Sequence, residues 1–350
     1  MIDTMMIYYR CSGAAELFST LGRVSRYMRE HNLNPVHNNA TYGGAGFGFE
    51  EINFKYRREY GYYAIYIKLR PKLLICKNNY INTLYPSDIA ALSREFAKKA
   101  EKIGLPNTDI MTYGVERIDY AIDINMESKK IQQYIALFKQ GGIPKKLMNE
   151  HTMRYFDSDT NMYLVGDGYN VNFYDRYRTL VEKQANEPRK KYACVERTKG
   201  KFRFEVQMKK IDTNKLKKRG LIRENTVREF LSPALARQII LQHYDTIIGK
   251  GDYFPYSEAI SQIKSRSAKD ILRRIRTCGS IYAAKEQFVS EAEDKRKACK
   301  QFSEALNYIR DKNINPVTLN AYDDKLINPR NLICDYFDDR RTIMTCRCDA

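Results

Sequence analysis

Hydrophobic and polar residues alternate along one segment of the chain, VERIDYAIDIN at 115–125. A period of two places four apolar residues on one side of a strand: Ile118, Tyr120, Ile122 and Ile124. The other side then carries an arginine, two acids and an alanine: Arg117, Asp119, Ala121 and Asp123. The pattern predicts a β-strand with one apolar face and one charged face.

Two later segments show the same alternation. NVNFYDRY at 170–177 places Asn172, Tyr174 and Arg176 on one face. KFRFEVQMK at 201–209 opposes an apolar set to Arg203, Glu205 and Gln207. Three such strands in one sheet would gather acids, arginines and a tyrosine on a single surface.

The order of predicted elements indicates an α+β fold, mainly antiparallel, with helices on one face of the sheet and the other face free for a ligand. The first hundred residues read as β-α-β-β followed by a helix that Ser87 caps and that runs to Ile103. The following hundred read as β-α-β-β-β-β. The predicted strands lie at 4–9, 49–56, 62–69, 115–125, 152–157, 161–165, 170–177 and 201–209, and the predicted helices at 13–30 and 127–140, with a glycine-rich loop at 31–48 and a polar connection at 183–200.

This layout predicts a catalytic α+β domain over residues 1–210, built from two β-α-β-β halves at 1–105 and 110–210. Residues 211–332 read as a helical C-terminal region, and 333–350 as a tail. Thr226 and Glu229 form a capping-box pattern for a helix that extends to about Ile248. Further helical patterns occupy 256–278 and 281–311.

The net charge of the chain limits the classes of partner that it is expected to bind. A formal net charge of +18 and a pI near 9.4 favour polyanions, nucleic acid above all. No apolar run approaches the roughly 20 residues of a spanning helix, and the N-terminus does not read as a signal peptide. Eight scattered cysteines without a CxxC pair are typical of free thiols in a reducing compartment. We therefore expect a cytoplasmic protein without a membrane partner.

Asp119, Asp123 and Glu205 are candidate ligands for one divalent cation. Oxygen-rich sites of this kind suit Mg²⁺ or Mn²⁺. Residues four apart on a strand share a face but lie roughly 13 Å apart along it, so Asp119 and Asp123 are expected to have different roles. A solvated sheet face is the competing interpretation, because such faces alternate in the same way.

Tyr174 is the candidate nucleophile. A tyrosine oxygen can attack a phosphodiester and form a covalent intermediate that keeps the energy of the bond. The chain has 27 tyrosines, most of which must serve packing or stacking. Asn172 and Arg176 on the same predicted face distinguish Tyr174. Because a one-residue shift of register exchanges the two faces, alternates remain: Tyr163, Tyr169 and Tyr177.

Two basic clusters are candidates for phosphate contacts. The first follows the Glu205 strand and comprises Lys209, Lys210, Lys215, Lys217, Lys218 and Arg219. The second lies on a predicted helix and comprises Lys264, Arg266, Lys269, Arg273, Arg274 and Arg276. A helix-turn-helix over 256–278 is a weaker interpretation of the second cluster.

The segments RIDYAIDI, NFYDR and FRFEVQ, in this order and spacing, resemble the replication-initiation proteins of rolling-circle plasmids and the gene II-type proteins of filamentous phages. Those proteins carry an Arg-x-Asp strand that ends in a second Asp, a Tyr-Asp-Lys strand and an Arg-x-Glu strand. The specific likeness covers about 115–208, and NINPVTLNAYDDKLINP is similar to the end of some initiators.

The resemblance implies a relaxase-like or RRM-like nicking domain that cuts and rejoins one origin strand with a divalent metal. Tyr174 would attack the strand and stay linked to its 5′ phosphate, with Arg176 and Arg203 beside it. Arg117 would flank the site and, with the first basic cluster, bind DNA. The implied partners are origin DNA, single-stranded or as a hairpin, a host helicase and polymerase in a bacterial cytoplasm, and a second copy in a homodimer. The chain departs from the family in Arg176, where lysine is usual, and in lacking the histidine pair of broader relaxase-like nucleases.

Two other functions fit the same residues. A metal-dependent hydrolytic nuclease would use the acids with water as its nucleophile. A non-catalytic DNA- or RNA-binding protein would use the sheet face only to hold single strands.

Overall fold

A computed structural model describes residues 1–31, 41–42, 49–76, 82–153, 158–186 and 195–338. Its strands are β1 (Ile2–Arg10), β2 (Thr41–Tyr42), β3 (Glu51–Arg57), β4 (Tyr62–Leu69), β5 (Gly114–Asn125), β6 (Asn161–Val165), β7 (Tyr169–Asp175) and β8 (Lys201–Lys209). Its α-helices are α1 (Ala14–Glu30), α2 (Pro71–Ile75), α3 (Ile89–Lys102), α4 (Ser128–Lys139), α5 (Glu150–Met153), α6 (Arg176–Asn186), α7 (Lys210–Lys218), α8 (Val227–Phe230), α9 (Pro233–Ile247), α10 (Tyr256–Gln262), α11 (Arg266–Cys278), α12 (Ile281–Ser290), α13 (Lys295–Asp311) and α14 (Arg330–Asp338).

All eight strands form one antiparallel sheet in the order β2-β3-β4-β1-β5-β8-β7-β6. The first predicted half of the domain, 1–105, supplies β1 to β4, and the second, 110–210, supplies β5 to β8. The halves meet where β1 pairs with β5, so β5 lies at the centre between β1 and β8. This arrangement confirms the predicted α+β fold with antiparallel pairing.

The apolar residues of the alternating strands form the core beneath the helices. An aromatic cluster joins helix to sheet: the rings of Phe173 and Phe204 stack 4.4 Å apart, and Phe138 of α4 meets Phe173 at 5.0 Å. Tyr244 of α9 packs on the same cluster, 5.8 Å from Phe204. Since Tyr244 lies beyond the predicted boundary at 210, the core of the sheet continues into the helical C-terminal region.

The C-terminal region is anchored to its own loops as well. Helices α11, α12 and α13 pack on one another. The stretch 313–328 returns to 249–256 through backbone bridges, including Tyr253 to Leu326 at 2.9 Å. Asn328 donates to the Gly251 carbonyl at 2.8 Å and accepts from Tyr244 at 2.7 Å. Among the helices of the described ranges, none is both long and apolar enough to cross a bilayer.

Most predicted elements agree with the structure within a few residues, but some were wrong. The expected strand near 152–157 is replaced by the short helix α5, with 154–157 outside the described residues. Ser87 lies in a 3-10 turn before α3, and the Tyr85 backbone is held there by Asp88 instead. The helix expected from Thr226 is interrupted, and Ser232 caps α9.

Two further predictions fall partly outside the described residues. The segment expected to open the tail forms α14, whose Ile333 is fully buried, while 339–350 lie outside the described residues. Most of the predicted loop at 31–48 also lies outside them. The basic segment 256–278 forms two helices, α10 and α11, separated by three residues.

The strand predicted at 170–177 ends at Asp175, and the chain continues as α6. Arg176 is therefore the first residue of a helix and not the last member of a strand face. Part of the predicted polar connection at 183–200 belongs to this helix, and 187–194 lie outside the described residues. The difference matters because α6 folds against the charged face of the sheet.

Candidate active site

Strand register brings the predicted site residues together. Across β5 and β8, Asp119 pairs with Gln207, Ala121 with Glu205, and Asp123 with Arg203. Across β7 and β8, Asn172 pairs with Glu205 and Tyr174 with Arg203. Directly paired residues share a face, so these side chains form one surface, which we call the charged face. β8 contributes its centre, because it lies between the other two strands.

Arg203 is the most deeply buried charge of this surface. Its side chain is fully buried and binds Asp123 through Nε at 2.7 Å and Asp3 through Nη1 at 2.8 Å. Burial alone would raise the pKa of both carboxyls, but the Arg203 guanidinium reverses this effect and lowers the pKa of each. The three residues form a buried ion triad in which each charge depends on the others.

Arg117 and Asp119 form a second pair on the same strand. The Arg117 guanidinium donates to both oxygens of Asp119 at 2.7 Å. Burial raises the pKa of Asp119 to about 7, and the nearby Glu205 charge adds to the rise that the Arg117 pair opposes. Asp119 therefore has a carboxyl that titrates near neutral pH, unlike Asp123.

The Tyr174 hydroxyl lies between a carboxylate and a guanidinium group. Its hydroxyl donates to Glu205 Oε2 at 3.2 Å and accepts from Arg176 Nη1 at 3.1 Å. Glu205 also accepts from Gln207 at 2.7 Å. Burial, together with the Glu205 charge, raises the pKa of Tyr174, so the phenol is protonated at neutral pH. The carboxylate is placed to take that proton, and the guanidinium to stabilise the oxygen that loses it.

Helix α6 covers this tyrosine. Tyr174 is only 6% exposed, and α6 contacts both β7 and β8. Lys183 of α6 lies within electrostatic range of Arg70, Arg176, Glu205 and Asp3, and burial lowers its pKa. The Tyr174 hydroxyl is therefore shielded from bulk solvent in this structure.

The alternate tyrosines occupy different places. Tyr163 on β6 shares the charged face, where its hydroxyl meets Gln207 at 3.3 Å and accepts from Asn170 at 2.8 Å. Tyr169 pairs with Met208 and packs against His243 on the opposite, apolar face. Tyr177 lies on α6 and donates to Glu196. Of the three alternates, Tyr163 is thus the one that shares the charged face with Asp119 and Glu205.

The first basic cluster is divided by the end of β8. Lys209 donates to the Gly166 carbonyl in the β6–β7 turn at 2.6 Å. Lys210 pairs with Glu116 at 3.1 Å, on the charged face beside β1. Lys217, Lys218 and Arg219 are exposed at the end of α7. Three of the predicted DNA-binding residues, Arg117, Lys209 and Lys210, therefore lie on the charged face, because Lys209 pairs with Arg117 across β5 and β8.

The arrangement of the acids bears on the predicted Mg²⁺ or Mn²⁺. Within the described ranges, no three His, Cys, Asp or Glu side chains converge as a metal site. Asp119 and Asp123 instead hold guanidinium groups, and Glu205 holds the Tyr174 hydroxyl. These carboxylates do not fit a preassembled metal cage, because an ion would first have to displace an arginine. Metal dependence stays a prediction.

Three residues of this network were not anticipated from the sequence. Asp3 completes the Arg203 triad, Arg70 lies near Asp3 and Tyr174, and Lys183 belongs to the missed helix. Alternation in β1 would place Asp3 with Met5 and Ile7 on the apolar face, and the register shift between Ile2 and Thr4 that brings it to Arg203 has no local sequence signal. Comparison with protein-family models, curated proteins and solved structures finds no match for this chain.

Proposed function

We propose that this protein is a tyrosine-dependent DNA nicking and rejoining enzyme that starts rolling-circle replication of a plasmid or phage. The observation that carries the proposal is the Tyr174 hydroxyl held between Glu205 and Arg176 on a charged sheet face. The resemblance of three motif strands supports the same reaction. The net charge of +18 supports DNA as the substrate, and the bacterial cytoplasm is the compartment that this function requires.

The chemistry can be assigned to residues of this chain. The Tyr174 oxygen forms a bond to the scissile phosphorus while its proton passes to Glu205. The bond from phosphorus to the 3′ oxygen breaks, and that oxygen leaves with a proton taken from solvent. The protein stays joined to the 5′ phosphate, and rejoining reverses each transfer. Arg176 stabilises negative charge on the tyrosine oxygen, as positioned guanidinium groups do in phosphoryl transfer.

Arg203 has a positioning role in this proposal. It is buried between Asp3 and Asp123 and pairs across the ladder with Tyr174. It therefore fixes the strand from which the tyrosine projects. Asp119 holds Arg117 in place on the same face, through hydrogen bonds from the guanidinium to both of its oxygens.

The test uses the full chain with 3′-labelled single strands and hairpins that carry a fully randomised central window. Reactions contain Mg²⁺, Mn²⁺ or a chelator and are resolved on denaturing gels. We expect a labelled protein–DNA adduct that Tyr174→Phe reduces by at least roughly 1,000-fold. Tyr322→Phe is the matched control, because Tyr322 is fully exposed, and it should form the adduct normally.

The other outcomes separate the rival functions. Free 5′ phosphate ends with full activity in Tyr174→Phe would indicate a hydrolytic nuclease. Binding without cleavage under every ion condition would indicate a non-catalytic binding protein. An adduct that disappears in Tyr163→Phe but persists in Tyr174→Phe would move the nucleophile to β6.

A further inference from the structure

The charged face continues past β5 onto the first half of the sheet, where its character changes. β1 and β4 place Tyr8, Tyr62 and Tyr66 on this face, and Tyr60 follows from the turn after β3. The Tyr8 and Tyr66 ring centroids lie 5.8 Å apart, and the Tyr60 and Tyr62 rings stack at 6.0 Å. We call these four residues the tyrosine platform.

Cations lie over the rings of the tyrosine platform. Lys210 is 4.8 Å from the Tyr60 centroid and 5.5 Å from that of Tyr8. Arg10 lies 4.7 Å from the Tyr62 centroid, and Arg57 lies 5.6 Å from that of Tyr60. Lys55 is a fourth cation, 6.0 Å from the Tyr66 ring. Ring faces combined with guanidinium and ammonium groups are the chemistry that binds unpaired bases and their phosphates.

The charge balance of this region is positive. Glu116 lies between Lys210 and Arg57, at 3.1 and 3.8 Å, and Glu59 reaches Arg57 at 3.6 Å. Four cations therefore meet two carboxylates. Positive charge around aromatic rings favours a polyanion whose bases can stack on those rings. An acidic peptide without aromatic groups would match the charge but not the rings.

Gly114 fixes the position of Tyr8. A Cβ atom at Gly114 would lie 2.3 Å from the Tyr8 ring, so only glycine lets this ring lie against β5. The position of Tyr8 in the tyrosine platform therefore depends on a glycine in the central strand. The exposed member of the platform is Tyr60, at 55%, whereas Tyr66 is buried at 4% and Tyr174 at 6%.

We propose that the tyrosine platform binds a single-stranded DNA segment that is continuous with the strand cut at Tyr174. Bases stack on Tyr60, Tyr62 and the Arg10 guanidinium, and phosphates contact Lys55 and Lys210. Five interstrand steps separate β7 from β3, a span of about 24 Å that several nucleotides can cover. The identity of the bound strand rests on the proposed function, but binding itself can be measured without cleavage.

The test is fluorescence anisotropy of a labelled oligothymidylate with the full chain in a chelating buffer, where no cleavage is required. We expect Tyr60→Ala and Tyr62→Ala each to weaken binding by about 5- to 100-fold, the range seen when a stacked aromatic is removed. Tyr322→Ala should bind as the wild type does. Circular dichroism verifies that each variant is folded.

The salt dependence provides a second readout. Lys55→Gln should lower the slope of log affinity against log salt by about 0.7, the value for one phosphate of a single strand. Lys300→Gln on α13 is the matched control and should leave the slope unchanged.

Each result decides the proposal. Folded Tyr60→Ala and Tyr62→Ala proteins that bind oligothymidylate with wild-type affinity would overturn the platform, even if the Tyr174 adduct forms. Weakened binding without any adduct would retain the platform and reject the nicking function. Tighter binding of an oligouridylate competitor would overturn the assignment to DNA.

Discussion

The two halves of the charged face have the same strand geometry but differ in what their cations contact and in how deeply they are buried. On β5, β8 and β7, arginines bind carboxylates directly and α6 covers them, so that Arg203 is fully buried. On β1, β4 and β3, the cations lie over tyrosine rings and Tyr60 is exposed. In the function proposed above, the covered half holds the nucleophile and the open half binds the DNA strand.

The difference has a physical consequence for stability. Buried ion pairs are costly to break, because removal of one partner leaves an uncompensated charge in a medium of low dielectric constant. Cation–ring contacts at the surface contribute little to folding. Substitutions in the covered half should therefore affect stability first, and those in the open half should affect binding first.

The largest expected effect is on the Arg203 triad. Arg203→Ala removes the cation that binds both Asp3 and Asp123, and should lower the free energy of unfolding by about 3–5 kcal/mol. Arg57→Ala in the open half is the matched arginine and should cost about 1 kcal/mol or less. Urea denaturation of both variants checks the difference, and equal losses would break the contrast between the halves.

The pH dependence of Asp123 should be the next largest effect. Its folded pKa is lowered, so its ionised form stabilises the folded protein above the ordinary aspartate pKa of about 4. This contribution is lost as the pH falls through the folded value. We expect Asp123→Asn to lose less stability than the wild type as the pH falls from about 5 through the ordinary aspartate pKa toward the lower folded value. If the free energies of unfolding of the wild type and Asp123→Asn fell in parallel at acidic pH, the lowered pKa of Asp123 would be refuted.

Asp119 should show the opposite sign. Its folded pKa of about 7 lies above the unfolded value, so its protonated form stabilises the folded protein at low pH. This stabilisation is lost as the pH rises toward 7. Urea denaturation at several pH values should show that Asp119→Asn flattens the stability curve between about pH 4 and pH 7. A variant whose stability declines as steeply as that of the wild type would contradict the raised pKa.

The smallest effect on stability is expected at Gly114. Gly114→Ala forces the Tyr8 ring away from β5, at a cost of about 1 kcal/mol, but should weaken oligothymidylate binding several-fold. Gly22→Ala on α1 is the control, since no atom lies within 4 Å of its added Cβ. Anisotropy titrations compare the two variants, and unchanged binding in a folded Gly114→Ala protein would separate Tyr8 from the platform.

The strands of the covered half were predictable because side-chain alternation is local. It placed Asp119, Asp123, Glu205 and Tyr174 on one face, and the sheet has them there. The order of the strands was not predictable in this way, because pairing depends on packing between distant segments. The bond from Arg203 to Asp3 spans 200 residues of chain, and no periodicity encodes it.

Helix α6 was missed for a different reason. The alternation of NVNFYDRY continues through Arg176 and Tyr177, while Tyr177, Leu180 and Val181 also have helical spacing. Both patterns overlap at Arg176, and the helix prevails after Asp175. The helix that covers Tyr174 was therefore absent from the sequence prediction, although the strand pattern placed Tyr174 on the charged face.

The most direct test of the central claim is the mass-spectrometric identification of the residue that carries DNA after reaction with the randomised single-strand pool. We expect one peptide from the end of β7, with the 5′ phosphate on Tyr174. An adduct on Tyr163 or on any other residue, in a protein whose Tyr174 is unmodified, would contradict it.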